Sequence, residues 1–312
     1  MTTTRRSILW PLIIITVGCI WLLMSAGAFP EAMGDILLRA WPALLIVFGF
    51  DILVGRRHVR FARLAIDLNL IGLVLTIAML IGVVWFAYQK QADVVRADQV
   101  KEFAQTLSDD IAQIRLDVSV SRTAVAIIPA ADSRDLRAVF KGSEESDVTM
   151  TWNVEGDTGI LVITETLPGP IPKLDNYGRG TLELILPVDV YVQLFALDGE
   201  EGDITANLQP LQIERIEFAV GGGDLQINLP TQNTLTGILK TLDGGIELDV
   251  PDSMALTVAR APDSGRPGYD YNKLRYDVLE DGTLKRQNTQ VFQIGLTISV
   301  PDGAPVVIRD LE

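Results

Sequence analysis

Carboxylates at glycine-rich turns are the residues of this sequence best suited to chemistry. Asp203 follows Gly202, Asp224 follows Gly223, and the segment DGEEGD at 198–203 adds further acids. If the turns stack, Asp203 lies over Asp224, and a divalent cation could relieve the repulsion between them. The segment GGGD at 221–224 resembles part of a calcium-binding nonapeptide repeat, but the sequence does not show the spacing of such repeats. We therefore predict solvated turns that need glycine, with no metal-binding residues and no cofactor.

The chain contains one cysteine, Cys19, and one histidine, His58. A zinc site built from cysteine and histidine is therefore excluded, as is a disulfide within the chain. A Ser-His-Asp site would have to use His58, which lies in the basic segment RRHVR, in a different part of the chain from most of the acids. Two carboxylates can hydrolyse a sugar chain, but the acids are spread along the sequence and no pair stands out. We predict no catalytic residues and no enzymatic activity.

The two ends of the 312-residue chain differ in charge. Residues 1–88 contain seven arginines, no lysine and four acids, so their formal charge is +3. Of the chain's 26 basic and 40 acidic residues, 19 and 36 remain for 89–312, so that part carries −17. Because phosphate repels such an acidic part, we predict that the protein does not bind nucleic acid.

Two similar segments, WPLIIITVG from Trp10 and WPALLIVFG from Trp41, lie in the apolar part. A membrane-spanning helix needs about 20 mostly apolar residues. Stretches 8–29, 36–54 and 68–88 reach or approach this length, and their tryptophans fall mostly near the ends, as interfacial aromatic residues do. Arg39 and Asp51 interrupt the second stretch, for which a re-entrant hairpin is the alternative. We predict a three-span transmembrane region at 1–90, in contact with membrane lipid.

Arginine positions predict the orientation of these spans. Basic residues precede the first span and follow the second: Arg5, Arg6, Arg56, Arg57, Arg60 and Arg63. Since such residues stay on the cytoplasmic side, we expect a cytoplasmic N-terminus and an extracytoplasmic C-terminal domain in the bacterial plasma (inner) membrane. AGA at 26–28 resembles a signal-peptidase site and TRRSIL at 4–9 a twin-arginine signal, and cleavage would leave the acidic part on the same side.

Residues 91–111 carry apolar side chains at helical spacing, which predicts a short amphipathic stalk helix. Its stripe of Val100, Phe103 and Leu107 is a candidate contact for a partner protein or for the domain that follows. A second candidate contact is the aromatic–acid segment YDYN, with Tyr269 and Tyr271, for which ordinary loop composition is an equal explanation.

From residue 112 onward apolar and polar residues alternate, as in half-buried strands. Four segments share one register of glycine, aliphatic residues and proline: GRGTLELILP, EEGDITANL, GGGDLQINLP and DGGIELDVP. Their glycines, Gly180, Gly202, Gly223 and Gly244, are 22, 21 and 21 residues apart. Aliphatic residues or alanine stand two, four and six positions after each glycine. Each segment is predicted to be one strand that proline ends.

A fixed period with one alternating strand per unit predicts stacked coils, because no unit can bury its apolar side alone. The predicted fold of 112–312 is therefore an all-β domain, a right-handed β-solenoid of toastrack-like type, joined to the α-helical membrane region. A Greek-key sandwich is the alternative, although it does not require the glycine register.

The doubled Trp-Pro-apolar-Gly spans and the glycine-led coils together resemble the LiaF-type bacterial membrane proteins. Their transmembrane region is similar to residues 5–57, and their toastrack β-solenoid domain is similar to about 112–301. The resemblance implies a role in the cell-envelope stress response, often as a regulator of a sensor kinase, and it carries over no catalytic residue. The third span departs from the family pattern, since an even number of spans would place the solenoid in the cytoplasm.

We therefore expect a non-enzymatic multi-pass membrane protein of the cell-envelope stress response. It would act as a sensor or regulator through protein–protein contacts, with a membrane protein such as a sensor kinase as its partner. The alternative is a membrane-anchored structural scaffold or adhesive module that binds cell-wall polymer or itself, as a homo-oligomer.

Overall fold

A computed structural model describes residues 60–61, 64–65, 94–130, 134–167, 179–287 and 292–311 of the protein. These residues are all-β and include no helix. Accordingly, the described part of the chain has no helix long and apolar enough to cross a membrane. The three predicted spans, Cys19 and His58 lie outside the described residues. The chain divides into two units, Met1–Val94 with Ile171–Tyr177, and Val95–Pro170 with Gly178–Glu312.

The described strands of the first unit form a short antiparallel hairpin of β1 (Arg60–Phe61) and β2 (Leu64–Ala65). The strands of the second unit are β3 (Gln99–Thr106), β4 (Gln113–Ala130), β5 (Asp135–Gly142), β6 (Asp147–Glu155), β7 (Thr158–Thr166), β8 (Gly180–Pro187), β9 (Tyr191–Glu201), β10 (Ile204–Asn207), β11 (Gln212–Ile213), β12 (Arg215–Gly222), β13 (Leu225–Asn228), β14 (Leu235–Asp243), β15 (Ile246–Pro251), β16 (Met254–Arg260), β17 (Gly268–Asp270), β18 (Tyr276–Val278), β19 (Leu284–Arg286), β20 (Phe292–Ser299) and β21 (Pro305–Leu311).

Pairing joins β3–β21 into one large 19-stranded sheet that runs as two rows of strands. The first row, sheet I, has the order β6–β7–β4–β9–β12–β14–β20–β16–β19–β18, with β11 also beside β9. The second row, sheet II, has the order β3–β5–β8–β4–β10–β13–β15–β21–β17. Most layers consist of one strand from each sheet, such as β12 with β13, and β4 is long enough to supply both.

The predicted 21-residue register is confirmed in the central layers. Ile204 pairs with Leu225, and Leu225 pairs with Ile246, in parallel ladders. Leu225 and Ile227 are fully buried, whereas Gln226 between them is exposed. Burying each such aliphatic side chain stabilises the fold by about 1.5–3 kcal/mol. Because the central strands pair in parallel, the Greek-key alternative is wrong, and the layers are compatible with a β-solenoid.

Glycine is required at the turns between the two sheets. Gly202, Gly223 and Gly244 have φ angles of +125°, +144° and +153°, which side chains disfavour. A Cβ atom on Gly223 would lie 2.4 Å from the carbonyl oxygen of Gly202 in the neighbouring layer. The turns therefore stack backbone on backbone, and this contact explains why the sequence repeats glycine.

Two layers of the stack are out of chain order. The Gly180 segment does not lie beside the Gly202 segment, because Val125 of β4 pairs with both Leu182 and Ile204. Near the other end, β20 and β21 lie between β14/β15 and β16/β17. The expectation that successive repeats are neighbours is therefore wrong at these two places.

Residues 99–106 form the edge strand β3, so the predicted stalk helix is wrong there. β3 pairs antiparallel with β5 along its whole length. Phe103 faces the inner side of sheet II, with its ring centroid 6.5 Å from that of Trp152. Pairing with a neighbouring strand outweighs the helical spacing of a short apolar stretch. β3 therefore belongs to the same unit as the strands that follow it, Val95–Pro170 with Gly178–Glu312.

Candidate functional site

A shallow groove of about 380 Å³ lies on the outer face of sheet I. It crosses five neighbouring strands, β7, β4, β9, β12 and β14. Two rows of outward side chains line it, with members paired across adjacent strands. The first row is Val162, Asp117, Ala196, Glu217 and Ile238, and the second is Thr164, Ser119, Asp198, Ala219 and Lys240. We call this surface the sheet I groove.

Short side chains on a rigid support make the groove. Ala196 is the middle residue of the first row and Ala219 lies beside the middle of the second, and the strands next to each of them carry longer residues. Beneath it the inward residues are core, and the rings of Phe195 and Phe218 meet edge to face with centroids 5.1 Å apart. Alternation along each strand thus places a core residue directly beside each groove residue. The sequence analysis missed this site, because its lining is formed by pairing between distant segments.

Two of the carboxylates at the groove are neutralised by arginines on their own strands. Arg115 Nε lies 3.1 Å from Asp117 Oδ2, and Arg215 lies 2.6 Å from Glu217 Oε1. Asp198 and Lys240 differ, since both are exposed and neither forms an ion pair or side-chain hydrogen bond with any described residue. They flank Ala219 in one row, because Ala219 pairs with Asp198 on one side and Lys240 on the other.

The predicted stacking of Asp203 and Asp224 has a structural explanation. The Asp203 carboxylate accepts a hydrogen bond from the backbone N–H of Asp224, at 3.0 Å. The Asp224 carboxylate accepts one from the backbone N–H of Gly245, at 2.7 Å. Each acid therefore binds the turn of the next layer. Within the described ranges, no group of three or more His, Cys, Asp or Glu residues is arranged to hold a metal ion.

Glu165 is a buried carboxylate at the end of β7, only 5% exposed. It accepts hydrogen bonds from the Ser121 backbone N–H at 2.9 Å, from Thr123 Oγ1 at 2.7 Å and from Ser146 Oγ at 2.9 Å. These donors lie on β4 and on the turn before β6, so Glu165 joins three segments. Its oxygens face inward rather than toward a cleft, and we assign it a structural role.

The two predicted tyrosines lie at the far end of the stack, close to the core. Tyr269 and Tyr271 are half-buried against it, and their ring centroids are 6.5 Å apart. Tyr271 also meets the buried ring of Tyr276, whose hydroxyl donates to Asp310 at 2.9 Å. Burial raises the pKa of Tyr269 to about 12. Tyr269 and Tyr271 therefore contribute to packing, and their contact with a partner stays a prediction.

The other predicted partner residues do not share one face. Leu107 is 3% exposed and belongs to the core, whereas Val100 is 52% exposed. Phe103 faces the inner side of sheet II and Val100 the outer side, because their positions along β3 differ by an odd number of residues. The stripe that helical spacing implied is therefore not brought together.

Near β18 and β19, Arg286 is a buried residue that is 4% exposed. It donates to the carbonyl oxygens of Pro251 and Met254 at 2.8 and 2.9 Å and to Asp252 at 2.7 Å. Hydrogen bonds from Arg286 and Arg275 lower the pKa of Asp252. These contacts fix the β18–β19 end of sheet I on the layers beside it.

No protein-family model matches the chain, and no curated protein matches it. The chain is similar in structure to a "putative cell adhesion protein" from Clostridium sporogenes, with 14% identity and a TM-score of 0.57, over 68% of this chain and 100% of that one. It also matches a "putative adhesin" from Bacteroides fragilis, with 10% identity and a TM-score of 0.25, over 70% of this chain and 100% of that one. The second score is too low to carry an argument. At such identity the first likeness shows a shared all-β fold and nothing about activity.

Proposed function

We propose that the protein is a non-enzymatic adhesive or scaffold module that binds a polymer of the cell envelope through the sheet I groove. The observation that carries the proposal is this open groove, which crosses five strands and in which small side chains lie directly beside charged ones. The fold likeness to a "putative cell adhesion protein" supports it. An open surface of this length suits an extended ligand better than a small enclosed one.

The chemistry of the groove favours binding over catalysis. Two of its three carboxylates are engaged by arginines, as described above. Asp198 is the remaining acid, so the groove offers no second free carboxylate for acid–base work on a sugar chain. Absence of activity toward glycans and peptides is therefore part of the proposal.

Anchoring in the membrane completes the proposal. The apolar stretches at 8–29, 36–54 and 68–88 would hold the protein in the plasma membrane, with the β-domain outside. Glu280 is exposed in the described structure, and a cysteine there, in a Cys19→Ser background, should react with an impermeant thiol reagent before lysis. Labelling only after lysis would place the domain in the cytoplasm and remove its access to the cell wall.

The right-handed β-solenoid of toastrack type, the LiaF-type membership and the role in envelope stress stay predictions from the sequence. The supporting observation for the solenoid is the set of parallel layers. For stress regulation through a sensor kinase the structure offers no specific observation. Gene deletion separates the two functions, because a regulator changes the transcriptional response to a wall-active antibiotic, whereas an adhesive module changes wall binding or cell aggregation.

Filling the groove tests the proposal directly. Ala219→Phe places an outward ring in the sheet I groove, and Ala126→Phe makes the same change on the outer face of sheet II. Co-sedimentation of the full chain in detergent with insoluble cell wall should fall sharply for Ala219→Phe and stay unchanged for Ala126→Phe. Equal binding by both variants and the unaltered protein would place the contact elsewhere.

A further inference from the structure

The charges at the sheet I groove are asymmetric. Asp117 and Glu217 are neutralised within their own strands. This leaves one free carboxylate, Asp198, and one free ammonium, Lys240, among the described residues of the groove. Both lie beside Ala219, which has no side chain beyond Cβ to separate them from a ligand above it. A complementary ligand would therefore present a cation and an anion to the same row.

The distance between these charges limits the ligand. Asp198 lies on β9 and Lys240 on β14, with β12 between them. Neighbouring strands are about 4.8 Å apart, so the two Cα atoms are about 9.5 Å apart. An extended peptide spans about 3.3–3.6 Å per residue. An ammonium and a carboxylate about three residues apart in such a peptide would match the pair.

We propose that the sheet I groove binds short zwitterionic peptides carried on the cell-wall glycan, with the ligand's ammonium at Asp198 and its carboxylate at Lys240. This inference rests on the proposed function and names its ligand class. A peptide fits the remaining surface as well, since Ala219 leaves room between the charges and the hydroxyl of Ser119 lies in the same row on the other side of Asp198. The wall is the favoured source because the proposed function gives the domain an extracytoplasmic location and a polymer of the cell envelope as its ligand.

The test uses the full chain in detergent and two preparations of insoluble cell wall, one with its peptides intact and one with its peptides removed enzymatically. We expect binding to the first and a several-fold loss with the second. Triglycine should compete for binding, because its two charged ends have the required separation. N-acetyl-triglycine amide, which lacks both charges, should not compete.

The second part of the test exchanges the charges of Asp198 and Lys240 in the groove. Asp198→Lys or Lys240→Asp alone leaves two like charges, and each should weaken binding about two- to fivefold, as expected for loss of one exposed ion pair. The double exchange should restore binding, because an extended peptide can lie in the opposite direction. Glu280→Lys, at an exposed position outside the groove, is the control for added charge.

The outcomes separate this inference from the proposed function. Equal binding to both wall preparations would overturn the peptide as ligand and leave wall adhesion standing. Binding to neither preparation would overturn both proposals. If the protein binds another protein but no wall preparation, and triglycine competes with that binding, the occupant of the groove is a protein segment. That outcome would also overturn the wall peptide as the ligand. Charge variants that bind normally while Ala219→Phe does not would show that the groove binds without its charges, against this inference.

Discussion

The 21-residue register makes a quantitative prediction about coupling between layers. Leu225 is fully buried, and its partners Ile204 and Ile246 in the neighbouring strands are 1% exposed. Ladders on both sides hold these strands, so the cavity left by Leu225→Ala has little freedom to collapse. We therefore expect a cost in the upper part of the usual range, about 3–5 kcal/mol. Gln226→Ala, one position along on the outer face, should change stability by less than about 0.5 kcal/mol.

Double-mutant cycles test which residues are neighbours. Leu225→Ala and Ile246→Val share a contact surface and should be non-additive by about 0.5 kcal/mol or more. Leu136 lies in β5, four strands from β13 in sheet II, so Leu225→Ala and Leu136→Ala should add within about 0.3–0.5 kcal/mol. The assay is urea unfolding of the fragment 95–312, with each variant compared with the unaltered fragment. Additivity of the Leu225–Ile246 pair, or equal costs for Leu225→Ala and Gln226→Ala, would refute the register.

Three further changes probe the turns, the buried acid and the tyrosines. Gly223→Ala should destabilise the fragment by more than about 1 kcal/mol, because its φ is +144° and the new Cβ meets the Gly202 carbonyl, whereas Gly222→Ala, with open space around it, should be nearly neutral in urea unfolding. Glu165→Ala should lower the free energy of unfolding by about 2–5 kcal/mol, since it leaves three donors without their acceptor. Glu183→Ala, on the outer face of sheet II, is the matched control. Equal unfolding midpoints for the two variants would contradict the structural role of Glu165. Tyrosinate absorbance should show Tyr269 ionising near pH 12. The contribution of its neutral form to stability is therefore present below about pH 10 and is lost as the pH rises toward 12. Tyr269→Phe should remove this transition, and a transition that persists in the variant would contradict its assignment to Tyr269.

Local patterns predicted the strands well. In the segment GGGDLQINLP, alternation alone places Leu225 and Ile227 inward and Gln226 outward, and the structure confirms this. The glycines were predictable for a related reason, since a turn with positive φ requires glycine at one position and the sequence shows that residue directly. Both features depend on a residue and its immediate neighbours along the chain, which is why a single sequence reveals them.

Features that depend on distant segments were not predictable in this way. Val100, Phe103 and Leu107 fit a helix by spacing, and only pairing with β5 makes Gln99–Thr106 a strand. The position of β4 between the Gly180 and Gly202 layers is also not visible in the local sequence, because the residues of β4 alternate like those of any other strand. Sequence periodicity identifies strands that can stack, whereas cross-strand packing decides their order.

The same distinction explains why the groove escaped the sequence analysis. Its second row joins Ser119 of β4 to Asp198, Ala219 and Lys240, which come from three later strands. Alanine at an outward strand position is unremarkable until its neighbours across the sheet are known. The ion pair of Arg115 and Asp117 is local to β4, but only the pairing of β4 with β9 places it beside Ala196 in the groove.

The out-of-order layer also links the groove to completion of the fold. β4 precedes β7 and β9 in the chain, yet it lies between them in sheet I. Until both later strands are in place, Asp117 and Ser119 lack a neighbouring strand on at least one side and the groove is incomplete. Closing the chain segments between these strands costs conformational entropy before the strand contacts form and offset it. A binding surface built across this layer therefore forms only once β7, β4, β9, β12 and β14 have paired, and a chain in which these strands are not yet paired does not present it.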